Sequence, residues 1–270
     1  MLRRFATVRV FDMKLYTLGT SAGTQPHADF HHCSTALETN GALYFIDAGE
    51  CCAYTAHLMG ISLLKTRAVF ITHPHMDHVG GLGNLLWYVR KVCNIKKSTL
   101  TSGDNIGIFT PCTESVNGFM SVLKNTEGGF KTEHSHTVHK FTDGLIYCDE
   151  NVKVTARHTH HMPEINGEFQ SFSFTFECEG KTVTFSGDMR LEDIPDIVPE
   201  NCDMFFTETG HHQIEDVCSA LKAAGKNVKK LMFTHNGGYI MNDVPAARER
   251  ALASFGSGAV ICLDGDTYEL

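Results

Sequence analysis

The chain has 270 residues, a formal net charge of −8 at pH 7 and a sequence pI near 6.0. Its 42% hydrophobic and 20% charged residues are the balance of an ordinary globular protein. The negative charge argues against a protein that binds the phosphate backbone of a nucleic acid. The 10 cysteines are scattered without a C-x-x-C pair, and no apolar run approaches the length of a membrane span. With no secretory signal in view, these features predict a cytoplasmic protein with reduced thiols.

In the first half of the chain, apolar runs bounded by turn residues predict strands, and apolar residues spaced three and four apart predict helices. Asn40 and Gly41 are the strongest hairpin signal, and Leu82, Leu85 and Val89 mark an amphipathic helix. In chain order the predicted elements are a strand over residues 14–18, a turn over 19–23, strands over 34–38 and 42–47, a helix over 51–59, a strand over 68–71, a helix over 80–92, a strand over 106–109 and a helix that starts at Pro111.

A polar, glycine-containing stretch follows. Residues 125–144 hold His134, His136 and His139, and no apolar pattern fixes the geometry of these side chains. The composition predicts an exposed loop that could serve as a lid. A third metal site is the alternative.

The second half of the chain repeats the alternation of strands and helices. Phe172, Phe174 and Phe176 alternate along one strand, and Gly180 is the turn of a hairpin. The predicted elements are strands over residues 145–148, 152–157, 170–177, 181–186 and 202–207, a helix over 217–224, a strand over 229–233, a helix over 245–255 and a strand over 259–263. Because the second half mirrors the first, we predict one domain over residues 1–270, with residues 1–12 as an N-terminal extension of undecided structure.

Metal-binding side chains concentrate after the buried strand of the first half, in the sequence T-H-P-H-M-D-H. His73 and His75 are two apart, and Asp77 and His78 are adjacent, so an extended or tightly turned backbone can send each pair to its own point. Pro74 argues against a helix in this motif. Two neighbouring groups of imidazole and carboxylate suit two divalent cations, with Zn²⁺ favoured and Mn²⁺ or Fe²⁺ as alternatives.

The pattern H-x-H-x-D-H resembles the signature of the metallo-β-lactamase superfamily, and the chain is similar to that family from about Lys14 to Leu270. Within it, the turn G-T-S-A-G at residues 19–23 and the segment E-T-G-H that begins at Glu208 resemble ribonuclease Z and related phosphodiesterases. The resemblance implies an α/β fold, a four-layer αββα sandwich of two mixed sheets with helices on both outer faces.

The resemblance also implies three further ligands at strand ends. His161, in T-H-H-M, resembles the third histidine of the family, with His158 and His160 as competitors. Asp188, in S-G-D, resembles a bridging aspartate, and His235, in T-H-N, resembles the last ligand. By this resemblance, one cation is held by His73, His75, His161 and Asp188, and the other by Asp77, His78, His235 and Asp188.

The remaining functional residues follow from the same resemblance. Asp77 is expected to be a catalytic residue as well as a metal ligand, because in the family a water between the two cations loses a proton and becomes the nucleophile. His211 is expected to protonate the leaving group and Glu208 to orient it, whereas the plainer interpretation is that His211 and His212 cap the following helix. Asp47, in I-D-A-G, is expected to orient ligands without binding metal.

These features predict a dinuclear hydrolase that cleaves phosphodiester bonds in a small or single-stranded substrate through a metal-bridging hydroxide. Two departures from ribonuclease Z argue against tRNA processing. Only residues 162–187 lie between His161 and Asp188, which leaves no space for a tRNA-clamping arm, and no Arg precedes Tyr239. The expected partner is a small-molecule or short phosphodiester substrate. Neither a membrane nor stable nucleic-acid binding is expected, and a homodimer is compatible with the sequence.

Several alternatives share the same site. One is hydrolysis of carboxylic esters, thioesters or lactones, and another is ribonuclease Z-type cleavage of tRNA precursors at the 3′ end. Iron-dependent oxidation of sulfur compounds is disfavoured because the second ligand set of Asp77, His78 and His235 is complete. A non-catalytic scaffold is disfavoured for the same reason, since no ligand is missing.

Overall fold

The computed structural model describes residues 13–270, so the prediction for residues 1–12 lies outside the described residues. The strands are β1 (Lys14–Gly19), β2 (Ser34–Thr39), β3 (Ala42–Ile46), β4 (Thr66–Phe70), β5 (Asn105–Thr110), β6 (Ser135–Lys140), β7 (Gly144–Cys148), β8 (Lys153–His158), β9 (Phe172–Cys178), β10 (Lys181–Phe185), β11 (Asn201–Thr209), β12 (Asn227–Asn236), β13 (Ala259–Ile261) and β14 (Thr267–Glu269). The α-helices are α1 (Cys52–Leu58), α2 (Met76–Val79), α3 (Leu82–Lys96), α4 (Thr113–Thr126), α5 (Ile194–Ile197), α6 (Ile214–Ala223), α7 (Gly238–Met241) and α8 (Val244–Phe255).

The strands form two mixed sheets with the same plan. The first sheet has the order β14-β1-β2-β3-β4-β5-β6, and the second has the order β13-β12-β11-β10-β9-β8-β7. In the first sheet the pairs from β14 to β3 are antiparallel and those from β3 to β6 are parallel. In the second sheet the pairs from β7 to β10 are antiparallel and those from β10 to β13 are parallel. The last strand returns to the first sheet, where Tyr268 lies opposite Leu15. The repetition read from the sequence is therefore a structural repetition.

An aromatic core lies between the two sheets. Phe70 of β4 packs against Phe174 and Phe176 of β9, with ring centroids 5.9 and 5.3 Å apart. Helices α1, α3 and α4 cover the outer face of the first sheet, and α5, α6 and α8 cover that of the second, each over its own apolar cluster. This arrangement is the four-layer αββα sandwich, and the predicted fold is confirmed. None of the helices in the described residues is both long and apolar enough to cross a membrane.

Replacing Phe174 by Ala is expected to lower the free energy of unfolding by about 3–5 kcal/mol, because it leaves a cavity between two rigid sheets. Phe174 is fully buried and also packs against Phe141, with ring centroids 5.5 Å apart. Urea denaturation followed by far-UV circular dichroism measures the change. The control is Tyr54→Ala on α1, where the side chain is 51% exposed and a change within about 0.5 kcal/mol is expected. Equal losses in the two variants would contradict this account of the core.

The prediction of a loop over residues 125–144 was wrong for residues 135–140, which form β6, whereas residues 127–134 have no helix or strand. Helix α4 continues to Thr126, and β6 pairs in parallel with β5 at the edge of the first sheet, with His136 opposite Ile106. An edge strand has one side open to water, so it tolerates a polar sequence that is also typical of a loop. His134 is buried, His136 half-buried and His139 exposed, and none of them belongs to a metal-binding group among the described residues.

The expectation of a non-helical backbone throughout the T-H-P-H-M-D-H motif was also wrong. Helix α2 begins at Met76, two residues after Pro74, so Asp77 and His78 lie on a short helix. Proline restricts its own backbone and that of the preceding residue, but it does not oppose a helix that starts after it. The other predicted elements are present with shifted ends, whereas α5, α7 and β14 were not predicted.

Candidate metal centre

The side chains singled out in the sequence meet at one edge of the sandwich. His73 and His75 follow β4, His161 follows β8, Asp188 follows β10, and His235 is the second-last residue of β12. Each residue therefore lies at or just after the end of a strand. Strand ends of the two sheets converge here, and the rigid sheets fix where each side chain starts.

The first donor group contains His73, His75, His161 and Asp188. Its ligand atoms all lie within 4.8 Å of one another. His73 Nε2 is 3.0 Å and His161 Nε2 is 3.3 Å from His75 Nδ1. Asp188 Oδ2 completes the group at 3.6 Å from His73 Nε2 and 3.5 Å from His161 Nε2. Burial lowers the pKa of His73 well below its usual value and also lowers the pKa of His161, which favours the neutral imidazoles that bind metals.

The second donor group contains Asp77, His78, His235 and Asp188. His235 Nε2 lies 3.2 Å and His78 Nε2 lies 3.5 Å from Asp77 Oδ2. Asp188 Oδ1 lies 3.3 Å from each of these two imidazole nitrogens. The two oxygens of the Asp188 carboxylate therefore face different groups. Burial acts to raise the pKa of Asp188, but His235 and His78 hold it well below its usual range, so the group is a carboxylate.

One observation of this structure, which does not depend on similarity to other proteins, indicates that the described residues can hold a metal ion. His78 Nε2 and Asp188 Oδ1 are buried and have no hydrogen-bond partner among residues 13–270. An unpartnered buried polar atom is costly, and a cation between the two would satisfy both. Imidazole nitrogen with carboxylate oxygen is a donor set that suits Zn²⁺, Mn²⁺ or Fe²⁺.

Comparison with known proteins agrees with the fold. A family model described as "Anti-Pycsar protein Apyc1" matches residues 13–250. The chain belongs to the Apyc1 family. It is 21% identical over 289 aligned residues to ribonuclease Z of Mycobacterium marinum, covering 96% of this chain and 98% of that protein.

Solved structures show the same fold. The metallo-β-lactamase fold protein YhfI from Bacillus subtilis has a TM-score of 0.71 at 18% identity and covers 96% of this chain and 99% of its own. The short form of human tRNase Z has a TM-score of 0.69 at 18% identity, covering 94% and 98%. The resemblance stated from the sequence is confirmed, and this Apyc1-family chain is a metal-dependent hydrolase of the metallo-β-lactamase superfamily.

Among the three neighbouring histidines of the Apyc1-family chain, only His161 faces the donor groups. His158 contacts Asp143, with Nδ1 and Oδ2 2.6 Å apart. His160 pairs with Asp193, whose carboxylate also accepts the backbone N–H of His160 at 2.9 Å. The two competitors are therefore engaged by carboxylates outside the centre. In the sequence, only the resemblance of T-H-H-M favoured His161, because the two carboxylates lie 15 and 33 residues from the histidines that they contact.

Hydrogen bonds behind the donor groups hold the side chains in place. Asp47 Oδ2 lies 2.7 Å from His78 Nδ1, and Asp47 Oδ1 accepts the backbone N–H of Thr72 at 2.7 Å. Asp47 is thus placed to orient His78, as the sequence predicted. Thr159 donates its hydroxyl to the backbone carbonyl of Asp188 at 2.7 Å. Sequence reasoning missed both threonines, although each directly precedes a histidine of a cluster.

His211 and Glu208 lie beside the donor groups. The buried Glu208 carboxylate accepts the backbone N–H of His211 at 2.9 Å and lies 2.8 Å from its Nδ1. This hydrogen bond raises the pKa of His211 to about 9, against the opposing effect of burial. The ring is about half exposed, and its centroid is 4.9 Å from that of His161. His212 instead contacts the carbonyl of Met189, with Nε2 and the oxygen 2.9 Å apart.

Proposed function

We propose that this Apyc1-family chain uses two divalent cations to hydrolyse phosphodiester bonds in a small or short single-stranded substrate. The observation that carries the proposal is the carboxylate of Asp188, whose oxygens face two different donor groups. A carboxylate shared in this way keeps two cations close together, as two-metal phosphoryl chemistry requires. The family and the fold of metal-dependent hydrolases support the proposal.

Seven residues would hold the cations. When bound, the two cations would lower the pKa of a water to near neutral and would neutralise negative charge on the phosphate. We propose Zn²⁺, because five of the seven side chains are imidazoles, with Mn²⁺ or Fe²⁺ as alternatives. The first cation is assigned to His73, His75, His161 and Asp188, and the second to Asp77, His78, His235 and Asp188.

Residues of the chain would orient the metal ligands and protonate the leaving group. Asp47 directs Nε2 of His78 toward the centre by holding Nδ1, and Thr159 fixes the backbone of Asp188. His211, held by Glu208, is placed to donate a proton to the leaving oxygen. An alkoxide leaves slowly without that proton, so this role falls to the exposed imidazole at the rim.

A small substrate is favoured by the form of the segment between His161 and Asp188. Residues 162–187 consist of a loop and the strands β9 and β10, and both strands lie inside the second sheet. The segment therefore forms part of the sheet and a connecting loop, and it leaves no residues for a tRNA-clamping arm. The net charge of −8 also opposes the close approach of a long polyanion.

Protein loaded with Zn²⁺ or Mn²⁺ is expected to cleave bis(p-nitrophenyl) phosphate, cyclic mononucleotides or short single-stranded oligonucleotides at least about tenfold faster than a tRNA precursor. The comparison uses kcat/KM from the same preparation, and a tenfold difference corresponds to about 1.4 kcal/mol. A p-nitrophenyl carboxylic ester, which has the leaving group of bis(p-nitrophenyl) phosphate, and a thioester, which releases a thiolate, form the control panel.

Efficient and accurate 3′ trimming of the tRNA precursor would overturn the small-substrate proposal and favour ribonuclease Z-type processing. Faster turnover of the carboxylic ester or thioester would favour the other alternative.

Two further proposals accompany the function. A cytoplasmic location is supported by the free state of all 10 cysteines, and a homodimer is testable by light scattering.

A further inference from the structure

The turn of residues 19–23, here called the rim turn, forms a wall of the second donor group. A Cβ added to Gly23 would lie 2.7 Å from Oδ2 of Asp77, so the rim turn packs directly on that carboxylate. The N–H of Ala22 donates to the carbonyl of Asn236 at 3.1 Å. Asn236 directly follows the last histidine of the second group. The rim turn therefore contacts one ligand and the neighbour of another.

A single carboxylate near the C-terminal end of the described chain fastens the rim turn. Oδ1 of Asp264 accepts the N–H and the hydroxyl of Thr20 at 2.8 and 2.7 Å. Oδ2 accepts the N–H of His31 at 2.7 Å and lies 2.9 Å from its Nδ1. The Asp264 side chain is only 10% exposed. Hydrogen bonds to a carboxylate are stronger than neutral ones, so four of them hold both ends of the loop that starts at the rim turn.

Asp264 is itself held by the first sheet. Thr17 of β1 donates its hydroxyl to the carbonyl of Leu263 at 2.6 Å and accepts the N–H of Gly265 at 2.8 Å. These bonds flank Asp264 on both sides. The sheet thus fixes Asp264, and Asp264 fixes the rim turn.

We propose that Asp264 is a positioning residue that sets the affinity of the second donor group for its cation. The inference rests on the proposed dinuclear site. The path runs from Asp264 through Thr20 to Gly23, which packs on Asp77. Without Asp264 the rim turn loses the side-chain bonds that fasten Thr20 and retains backbone hydrogen bonds such as that from Ala22 to Asn236, so the wall that limits the orientation of the Asp77 carboxylate loosens. The first donor group keeps its ligands and their supports.

Asp264→Ala is tested by titrating the metal-free protein with Zn²⁺ against a chelator of known affinity, with elemental analysis of the loaded protein. We expect the wild type to bind two ions. The variant should bind one with unchanged affinity and the other about 10–100-fold more weakly, the usual effect of losing a residue that supports a ligand. Asp266→Ala is the matched control, because its carboxylate accepts the N–H of Leu263 and the hydroxyl of Tyr268 within the same segment. It should keep both affinities.

A second variant tests the other end of the path. Gly23→Ala leaves Asp264 in place but forces a Cβ against Asp77, so the same single affinity should weaken. It also decides the question if Asp264→Ala does not fold, as judged by circular dichroism. In an Asp77→Ala background, Asp264→Ala should cause no further loss, because the second site is already broken.

Unchanged affinities in folded Asp264→Ala would overturn the inference. Equal weakening of both affinities would also overturn it, because it would indicate a general structural role. Both results leave the proposed function standing. A wild type that binds fewer than two ions would instead contradict the dinuclear site, and the inference with it.

Discussion

Asp188→Ala is expected to lose most of both cations and to lower kcat/KM for a small phosphodiester by more than about 10³-fold. The two oxygens of Asp188 face both donor groups at 3.3–3.6 Å, so one substitution removes a ligand from each. It also removes the negative charge that, in the proposed site, would hold two positive ions close together. A factor of 10³ corresponds to about 4 kcal/mol, within the range that metal ions contribute to transition-state stabilisation.

Elemental analysis of the purified variant measures the metal, and initial rates measure the activity. The matched control is Asp143→Ala, which removes a carboxylate that pairs with His158, three residues before His161 but outside both donor groups. It should retain two ions and most of the activity. Metal content in Asp188→Ala equal to that of the wild type would refute the assignment of the seven ligands.

His211→Ala is expected to slow the cleavage of diesters with alkoxide leaving groups by roughly 10²–10⁴-fold, the usual contribution of a general acid. Diesters with a nitrophenolate leaving group need little protonation and should lose less than about tenfold. The physical reason is the position of His211, half exposed at the rim and fixed by two contacts to Glu208. Both cations should stay, because neither donor group includes His211.

His212→Ala is the control for this prediction. Its ring contacts the backbone of Met189, so its loss should affect both kinds of substrate to the same small extent. Equal rate losses on the two leaving groups in His211→Ala would show that His211 has another role. A fall in metal content in that variant would lead to the same conclusion.

The superfamily, the order of most elements and the set of candidate ligands could be predicted from the sequence. The alternation that predicts a strand is a local pattern, so the phenylalanines of β9 indicate a buried strand whatever its partner in the fold. The motif at His73 to His78 is equally local, since its donors lie within six consecutive residues. The positions of Asp188 and His235 were named by resemblance of short segments at strand ends, and the fold brings both beside that motif.

Other features depended on the tertiary structure alone. The resemblance of T-H-H-M favoured His161 over His158 and His160, but the contacts with Asp143 and Asp193 that engage the other two histidines are seen only in the fold. The edge strand β6 is polar because one side of it meets water, so its sequence resembles that of a loop.

The contact between Asp264 and the rim turn joins residues that are more than 200 positions apart, and no local pattern of apolar or turn residues reports it. By itself the sequence determined which chemical groups are present and which elements carry them. The packing of two sheets decided which groups meet, because that depends on long-range contacts that periodicity does not encode.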